Sequence, residues 1–142
     1  MIREFILGDE KEIAALEKEC FSSPWSEKAV LESYYSDTKF FLFEENEKIL
    51  GYAGLQAVLD EGYVTNIAVT KLARGRGIGK ALVDNLINFG KDKNLAFISL
   101  EVRESNIPAI SLYTKCGFKD MGKRKNFYKD PAEDAKILTK EF

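Results

Sequence analysis

The chain has 142 residues, the length of one domain, and a hydrophobic fraction of 45% suffices for a packed core, so we expect a single domain over residues 1–142. It contains no histidine, which excludes a Ser-His-Asp triad, a Cys-His pair and every His-ligated metal site, and we expect no metal. A net charge of −2 gives no reason to expect a nucleic-acid partner, no apolar run is long enough to span a bilayer, and the two cysteines are expected to be reduced thiols in the cytoplasm.

The first part of the chain predicts two helices. Asp9 has the residue type and position of an N-cap, and Ile13, Leu16 and Cys20 then fall on one helix face, with Cys20 expected in the core. The segment "SSPWSEK" interrupts this helix, and Ser26 is the expected N-cap of a second one. Both helices therefore present an apolar face to a core.

A hairpin and a further strand are predicted next. The stretch "KFFLFEENEKILGYAGLQAV" consists of two apolar runs around a polar turn, and "YVTNIAV" is another apolar run. The segment "ARGRGIGKAL", residues 73–82, then leads into an amphipathic helix. Four aliphatic residues form the predicted inner face of that helix: Leu82, Val83, Leu86 and Ile87.

The last third predicts a strand, a helix and two final strands. "AFISLEV" is the strand, and "ESNIPAISLYTKCGF" is the helix, with Ser105 or Asn106 as its N-cap, Pro108 in its first turn and Gly117 at its C-terminal cap. "FKDMGKRK" and "DAKILTKEF" are the expected final strands, joined by the loop "NFYKDPAE". This order of elements predicts an α/β fold, a mixed sheet with helices on its faces.

The glycine-rich segment has the features of an anion-binding loop. Four cations, Lys71, Arg74, Arg76 and Lys80, lie between positions 70 and 83 without an acidic residue. The first turn of a helix offers unpaired N–H groups and a partial positive charge, and glycines let these groups approach a phosphate closely. A phosphate or pyrophosphate site is therefore predicted, and the alternative is a tight turn with a solvated basic surface.

Two common phosphate-binding motifs fit this segment poorly. A P-loop requires G-x-x-x-x-G-K-[ST], but Arg74 occupies its first glycine position and Ala81 replaces the Ser or Thr that binds magnesium. A dinucleotide fingerprint requires G-x-G-x-x-G directly after a strand, whereas this chain has G-x-G-x-G with "TKLA" in between. Glu101, at the end of the next strand, favours the second motif, so a nicotinamide enzyme stays as a distant alternative.

The segment from Arg74 to Gly79 matches the pattern Q/R-x-x-G-x-G/A in every fixed position, and it resembles the acetyl-CoA signature of the GNAT N-acetyltransferases. Three further segments extend the resemblance over almost the whole chain: "NIAV", "LEVRESNIPAISLYTKCGF" and "RKNFYKDPAEDA". Together they are similar to the RimI-like group, the ribosomal-protein-alanine N-acetyltransferases. The resemblance implies the GNAT fold, a mostly antiparallel sheet flanked by helices, in which two splayed strands form the cleft for coenzyme A.

The resemblance also implies acetyl-CoA as the acetyl donor and assigns residues to it. The backbone N–H groups of the signature loop would hold the pyrophosphate, and this loop comprises Arg74, Gly75, Arg76, Gly77, Ile78, Gly79 and Lys80. The side chain of Ile78 is expected in the core. The pantetheine arm would pair with the backbone of three residues whose side chains can also be core: Ile67, Ala68 and Val69. Asn106 matches the family's asparagine that bonds to the cofactor arm, and its alternative role is the helix N-cap.

Two residues match the proton-handling groups of the RimI-like group. Glu101 matches the general base, which acts directly or through water, and strand alternation places it opposite Leu100 and Val102. Its alternative is a surface ion pair, with Arg103 or a lysine. Tyr113 matches the general acid for the coenzyme A thiolate. It lies two helical turns after Asn106, and its alternative is a half-buried aromatic residue.

Substrate recognition is implied by two segments that form the peptide groove in this group, here "SSPWSEK" and "RKNFYKDPAEDA". The candidate groove residues are Trp25, Phe127 and Tyr128, together with Glu61, which could pair with a substrate amine or basic side chain. The resemblance implies direct transfer, in a ternary complex, to a protein N-terminus, that of ribosomal protein S18, which begins with alanine. A GNAT enzyme for a lysine or a small-molecule amine and a non-catalytic acyl-CoA-binding module are the alternatives.

Overall fold

The structure, a computed structural model, describes residues 1–142. The helices are α1 (Glu10–Cys20), α2 (Glu27–Tyr35), α3 (Ile78–Asp92) and α4 (Ile107–Lys115). The strands are β1 (Ile2–Glu4), β2 (Thr38–Glu45), β3 (Lys48–Val58), β4 (Glu61–Val69), β5 (Phe97–Arg103), β6 (Lys119–Lys129) and β7 (Ala132–Glu141). A short 3₁₀ helix at Lys71–Ala73 precedes the glycine-rich loop. None of the four helices combines the length and the apolarity that crossing a membrane requires.

The strands form one seven-stranded sheet in the order β1-β2-β3-β4-β5-β7-β6. Every neighbouring pair is antiparallel except β4 and β5, which are parallel. The predicted mixed α/β fold is confirmed. The parallel pair lies in the middle of the sheet, and α3 provides the crossover connection that two parallel strands need.

A β-bulge bends β4 near its centre. Gly54 of β3 pairs with Asn66, and Leu55 pairs with Val64, so Thr65 has no opposite residue. A side chain at position 54 would clash with Thr65 Oγ1 and with the Phe40 ring, so this close approach requires glycine. Because a bulge bends the strand that carries it, the second half of β4 takes a direction different from the first.

Apolar side chains cover both faces of the sheet. One face packs against α3 and α4 around Leu82, Leu86, Ile98 and Leu138. The predicted inner face of α3 is confirmed, since Leu82, Val83, Leu86 and Ile87 are all buried. The other face packs against α1 and α2, and its core contains Ile13, Leu16, Val30, Phe40, Leu42 and Tyr52. The helical periodicity in the sequence therefore identified the side of each helix that packs against the sheet.

Two of the three predicted N-cap residues make the expected side-chain hydrogen bond. Ser26 accepts a hydrogen bond from the Ala29 N–H at 3.1 Å, and Asn106 accepts one from the Ala109 N–H at 3.3 Å. Asp9 is the N-cap residue of α1, as predicted, but its side chain makes no cap hydrogen bond. Its carboxylate instead pairs with both terminal nitrogens of Arg3, at 2.8 and 3.0 Å, since the sheet brings Arg3 next to it.

The predicted strands need two corrections. The short strand β1 was missed, because three residues with a single partner strand give too little alternation to recognise. The segment "NFYKDPAE" was predicted as a loop, but β6 continues to Lys129 and β7 begins at Ala132. The polar residues of this hairpin are tolerated in strands because β6 is an exposed edge strand.

Candidate active site

The parallel strands β4 and β5 pair over only three residues each. Glu61–Tyr63 pairs with Phe97–Ser99, and beyond this point the strands separate. The gap opens into a cleft of about 620 Å³. Its lining comes from the α1–α2 loop, the second half of β4, the end of β5, α4 and the β6–β7 turn. The splayed strands implied by the family resemblance are therefore present.

Seven of the seventeen predicted site residues line this cleft. The predicted residues that line it are Trp25, Ile67, Glu101, Asn106, Tyr113, Phe127 and Tyr128. Ala68 and Val69 do not line it, and Ala68 is buried in the core beneath α1 and α2. Their backbone nevertheless continues the edge of β4 that β5 leaves unpaired.

Glu101 lies on β5 with its side chain about one-third exposed, and its neighbours Leu100 and Val102 are buried as strand alternation predicts. Its Oε1 lies 3.2 Å from Nε of Arg124 on β6. The sequence suggested Arg103 or a lysine as the ion-pair partner, and that suggestion is wrong. Arg103 instead pairs with Glu133 at 3.2 Å, because the register between β5 and β7 brings those two residues together.

Tyr113 is the most buried of the candidate proton-handling groups, with 8% of its surface exposed. Its ring packs against Phe118, while the residue also lines the cleft. Burial raises the pKa of its hydroxyl above the ordinary value, with a smaller contribution from Tyr128. The hydroxyl group therefore keeps its proton at neutral pH and can donate it.

The glycine-rich loop adopts a conformation that requires glycine. Gly75 and Gly77 both have φ of +82°, and a Cβ at either position would meet no atom within 4 Å. Gly77 caps α3, so the first-turn N–H groups of Ile78, Gly79 and Lys80 have no partner within the helix. Ile78 is buried, as predicted. Unpaired N–H groups beside open space fit an anionic group such as a pyrophosphate.

Two of the four loop cations, Arg76 and Lys80, have acidic partners in the fold. Arg76 pairs with Glu45, and Lys80 pairs with Asp84 at 2.7 Å. Arg74 connects the loop to the cleft, since its Nε donates to the Val69 carbonyl at 3.1 Å and its Nη2 lies 3.4 Å from Cys20 Sγ. Two of the loop charges are therefore already paired within the fold, and the backbone N–H groups add to the attraction for an anion.

The β6–β7 turn forms one wall of the cleft. Phe127 and Tyr128 pack edge to face at 5.1 Å, and the Arg103 guanidinium lies 4.3 Å from the Tyr128 ring centroid. Arg103 also donates to the carbonyls of Asp130 and Pro131 at 3.0 and 2.9 Å. These contacts fix the turn on the end of β5.

Glu61 does not join this site. It lies at the paired end of β4, next to Phe97, and its carboxylate accepts a hydrogen bond from the Tyr63 hydroxyl. The sequence suggested that Glu61 lies near the groove. However, the bulge of β4 and its separation from β5 both lie beyond Tyr63, towards the opposite end of the strand.

Sequence reasoning missed Glu17, Asn66 and Arg124. Glu17 is fully buried, although glutamate is rarely buried without a cation. Position 17 follows Ile13 by four residues, so the helical period alone would have pointed it inward. Cys20, predicted as core, lines the cleft and is only partly buried.

Known proteins share this arrangement. The family model for the Acetyltransferase (GNAT) family matches residues 10–118. A protein of Bacillus subtilis (strain 168) is 36% identical over 141 residues, covering 96% of this chain and 92% of the relative. The [Ribosomal protein bS18]-alanine N-acetyltransferase of Escherichia coli (strain K12) is 37% identical over 125 residues, covering 87% of this chain and 84% of the relative.

The solved structures agree with the sequence comparison. The crystal structure of the ribosomal-protein-S18-alanine N-acetyltransferase from Escherichia coli superimposes with a TM-score of 0.92 at 34% identity, and covers 99% of this chain and 92% of that one. The resemblance found in the sequence is confirmed, and the chain belongs to the GNAT family of acetyltransferases.

Proposed function

We propose that this protein transfers an acetyl group from acetyl-CoA to the N-terminal α-amine of a protein, and that its acceptor is ribosomal protein S18 with an N-terminal alanine. The observation that carries the proposal is one cleft lined by both the Glu101 carboxyl group and the Tyr113 phenol. The relatives named for this reaction in Escherichia coli support the choice of acceptor.

Acetyl-CoA fits the observed cradle. The loop from Gly75 to Lys80 offers unpaired N–H groups for the pyrophosphate, and the unpaired edge of β4 offers backbone groups to the pantetheine arm. At Gly79 a Cβ would lie 3.3 Å from Leu112, so the loop packs closely on α4. The Asn106 Oδ1 already caps α4, and its Nδ2 is left to bond to the cofactor arm.

The two proton-handling groups have complementary tasks. When bound, acetyl-CoA supplies the acetyl group as a thioester. Glu101 removes a proton from the amine, directly or through water, as the new N–C bond forms. Tyr113 Oη gives its proton to the sulfur as the C–S bond breaks. The arrangement requires no acetylated residue, and the transfer is direct.

An α-amine suits a carboxylate base better than lysine does. The pKa of an α-amino group is about 8, so roughly a tenth of it is neutral at pH 7, whereas a lysine of pKa about 10.4 is neutral in only about one molecule in two thousand. The α1–α2 loop and the β6–β7 turn both border the cleft, and the Ser22 hydroxyl donates a hydrogen bond to the Asp130 carbonyl between them. The lower pKa of an α-amine therefore favours an N-terminus over a lysine.

A transfer assay followed by mass spectrometry tests this proposal. The protein is incubated with acetyl-CoA and with peptides that begin with alanine, serine or methionine, plus a peptide with a blocked N-terminus and a free lysine. We expect a gain of one acetyl group on the alanine peptide alone. Acetylation of the blocked peptide would assign the protein to lysine chemistry, and binding of acetyl-CoA without any transfer would favour a binding module.

A further inference from the structure

Glu17 is a fully buried carboxylate that the reaction above does not use. It lies on α1, and no lysine or arginine pairs with it. Three uncharged donors surround it: the Trp25 backbone N–H at 3.0 Å, the Asn66 Nδ2 at 3.0 Å and the Tyr52 hydroxyl at 2.5 Å. Burial raises the pKa of its carboxyl group, and the three hydrogen bonds oppose that shift. A buried charge without a counter-ion is costly and calls for a role.

Two of these three contacts end in the cleft. Trp25 and Asn66 both line it, whereas Tyr52 is buried under α1 and does not. Trp25 belongs to the α1–α2 loop, which contains no regular secondary structure of its own to fix it. Asn66 sits beside the bulge of β4. One carboxylate therefore joins a loop and a strand on the same side of the cleft.

The contact to Glu17 also determines the orientation of the Asn66 amide. Only the Nδ2 group can donate to a carboxylate, so the Oδ1 atom is left as an acceptor for a ligand. An acceptor in this place suits an N–H group of a bound peptide. Neither Trp25 nor Asn66 belongs to the glycine-rich loop, so this arrangement is separate from the proposed pyrophosphate site.

We propose that Glu17 is a positioning residue for the acceptor peptide, which acts by fixing the Trp25 backbone and the Asn66 amide along the β4 side of the cleft. The inference rests on the proposed peptide acceptor. Glu17→Gln preserves the shape of the side chain but provides only one acceptor oxygen. Either the Trp25 N–H loses its partner, or the Asn66 amide turns over and presents Nδ2 to the cleft. Both results disturb the peptide side of the site.

Steady-state kinetics separate this role from plain stabilisation. For Glu17→Gln we expect the KM for an alanine-starting peptide to rise about tenfold, as for loss of a hydrogen bond to a charged group, with kcat and the KM for acetyl-CoA changed less than about twofold. The matched control is Tyr52→Phe, which removes a donor to the same carboxylate outside the cleft. It should lower Tm and leave the peptide KM unchanged.

A binding readout keeps the test independent of catalysis. Trp25 is the only tryptophan of the chain, so its fluorescence reports peptide binding at this wall. If the protein transfers no acetyl group, the proposed function fails, and a weaker fluorescence titration for Glu17→Gln than for Tyr52→Phe still supports the positioning role. If Glu17→Gln does not fold, Asn66→Ala takes its place with the same expected rise in peptide KM or Kd. Three results would overturn the proposal. The folded variant could bind the peptide as tightly as the wild-type protein, Tyr52→Phe could weaken peptide binding equally, or the variant could change only the KM for acetyl-CoA.

Discussion

The two sides of the cleft are held in place by different forces. The β4 side, formed by the α1–α2 loop and Val64–Ile67, is anchored by buried Glu17 and uncharged donors. The β5 side, formed by the end of β5, α4 and the β6–β7 turn, is anchored by partly exposed ion pairs, such as Arg103 with Glu133 and Arg124 with Glu101. Exposed pairs contribute at most about 1 kcal/mol each and weaken with salt.

This difference separates two tasks. The proposed proton-handling groups, Glu101 and Tyr113, both lie on the β5 side, where the partial exposure of Glu101 gives protons access to solvent. The β4 side holds no candidate acid or base that faces solvent, and its buried network favours a fixed shape. We therefore expect variants of the β5 side to change kcat, and variants of the β4 side to change binding.

The largest expected effect is that of Glu101→Gln. Removal of a general base costs about a hundredfold or more in rate, so kcat should fall about a hundredfold, with the KM values for peptide and acetyl-CoA little changed. The matched control is Glu104→Gln, on the same chain segment but outside the cleft, where Glu104 only pairs with Lys123. If kcat of Glu101→Gln stays within twofold of wild type, Glu101 is not the general base.

Tyr113→Phe should lower kcat about tenfold, because the proton donor to the leaving sulfur is lost. The fold should persist, since the ring still packs on Phe118. Tyr63→Phe is the control, as Tyr63 lies at the paired end of β4 and its hydroxyl only contacts Glu61. Equal rates for Tyr113→Phe and the control would show that another group, or water, protonates the sulfur.

Gly77→Ala tests the cofactor cradle, which precedes α3. The φ of +82° costs a residue with a Cβ about 1 kcal/mol, so we expect the KM for acetyl-CoA to rise about fivefold while the peptide KM stays the same. Gly8→Ala introduces comparable strain at φ +111° in open space before α1. It should lower Tm without any change in acetyl-CoA binding, and a shared effect on KM would point to global loosening.

The smallest expected effect is on the pH dependence of stability, which should have opposite signs for the β5 side and the β4 side of the cleft. Hydrogen bonds from Ser105, and then from Arg103, hold the pKa of Glu133 below its ordinary value of 4.5. Its stabilising contribution is therefore present above pH 4.5 and is lost as the pH falls through the lowered pKa. Glu133→Gln should lower Tm by about 2 °C at pH 7, and this difference should disappear near pH 3.

Glu17 on the β4 side should show the opposite trend. Burial raises its pKa above 4.5, so the folded chain binds this proton more readily than the unfolded chain does. Between neutral pH and 4.5, acidification therefore increases the stability of the wild-type protein relative to Glu17→Gln. Thermal unfolding of both variants from pH 7 to pH 3 checks the two signs, and a parallel trend would contradict the comparison.

Much of the fold could be predicted from the sequence because its signals are local. Alternation in β5 predicted that Leu100 and Val102 are buried opposite Glu101, and the cap residues Ser26 and Asn106 marked helix starts. The expected hydrogen bond from the helix to the Asp9 side chain is absent because its partner is not local. Its actual partner, Arg3, comes from a strand whose position depends on pairing with β2.

The candidate site was predictable where one segment carries the chemistry. The glycines of the signature loop, and the spacing of Asn106 and Tyr113 on one helix, follow from the chain itself. Partners from distant segments were not predictable: Arg124 for Glu101, Glu45 for Arg76 and Glu133 for Arg103. Each of these pairs depends on how distant segments pack together, which no local pattern specifies.

By itself, the sequence determined the order of elements, the glycine-dependent turn before α3 and the residue types for proton transfer, because periodicity, positive φ and side-chain chemistry are properties of short segments. Only the tertiary structure decided that β4 and β5 separate after three paired residues, that Glu61 stays outside the cleft and that Glu17 joins the α1–α2 loop to β4 on one side of it. These features arise where bends, register and burial bring residues together that are remote in the chain, and their energies depend on that environment.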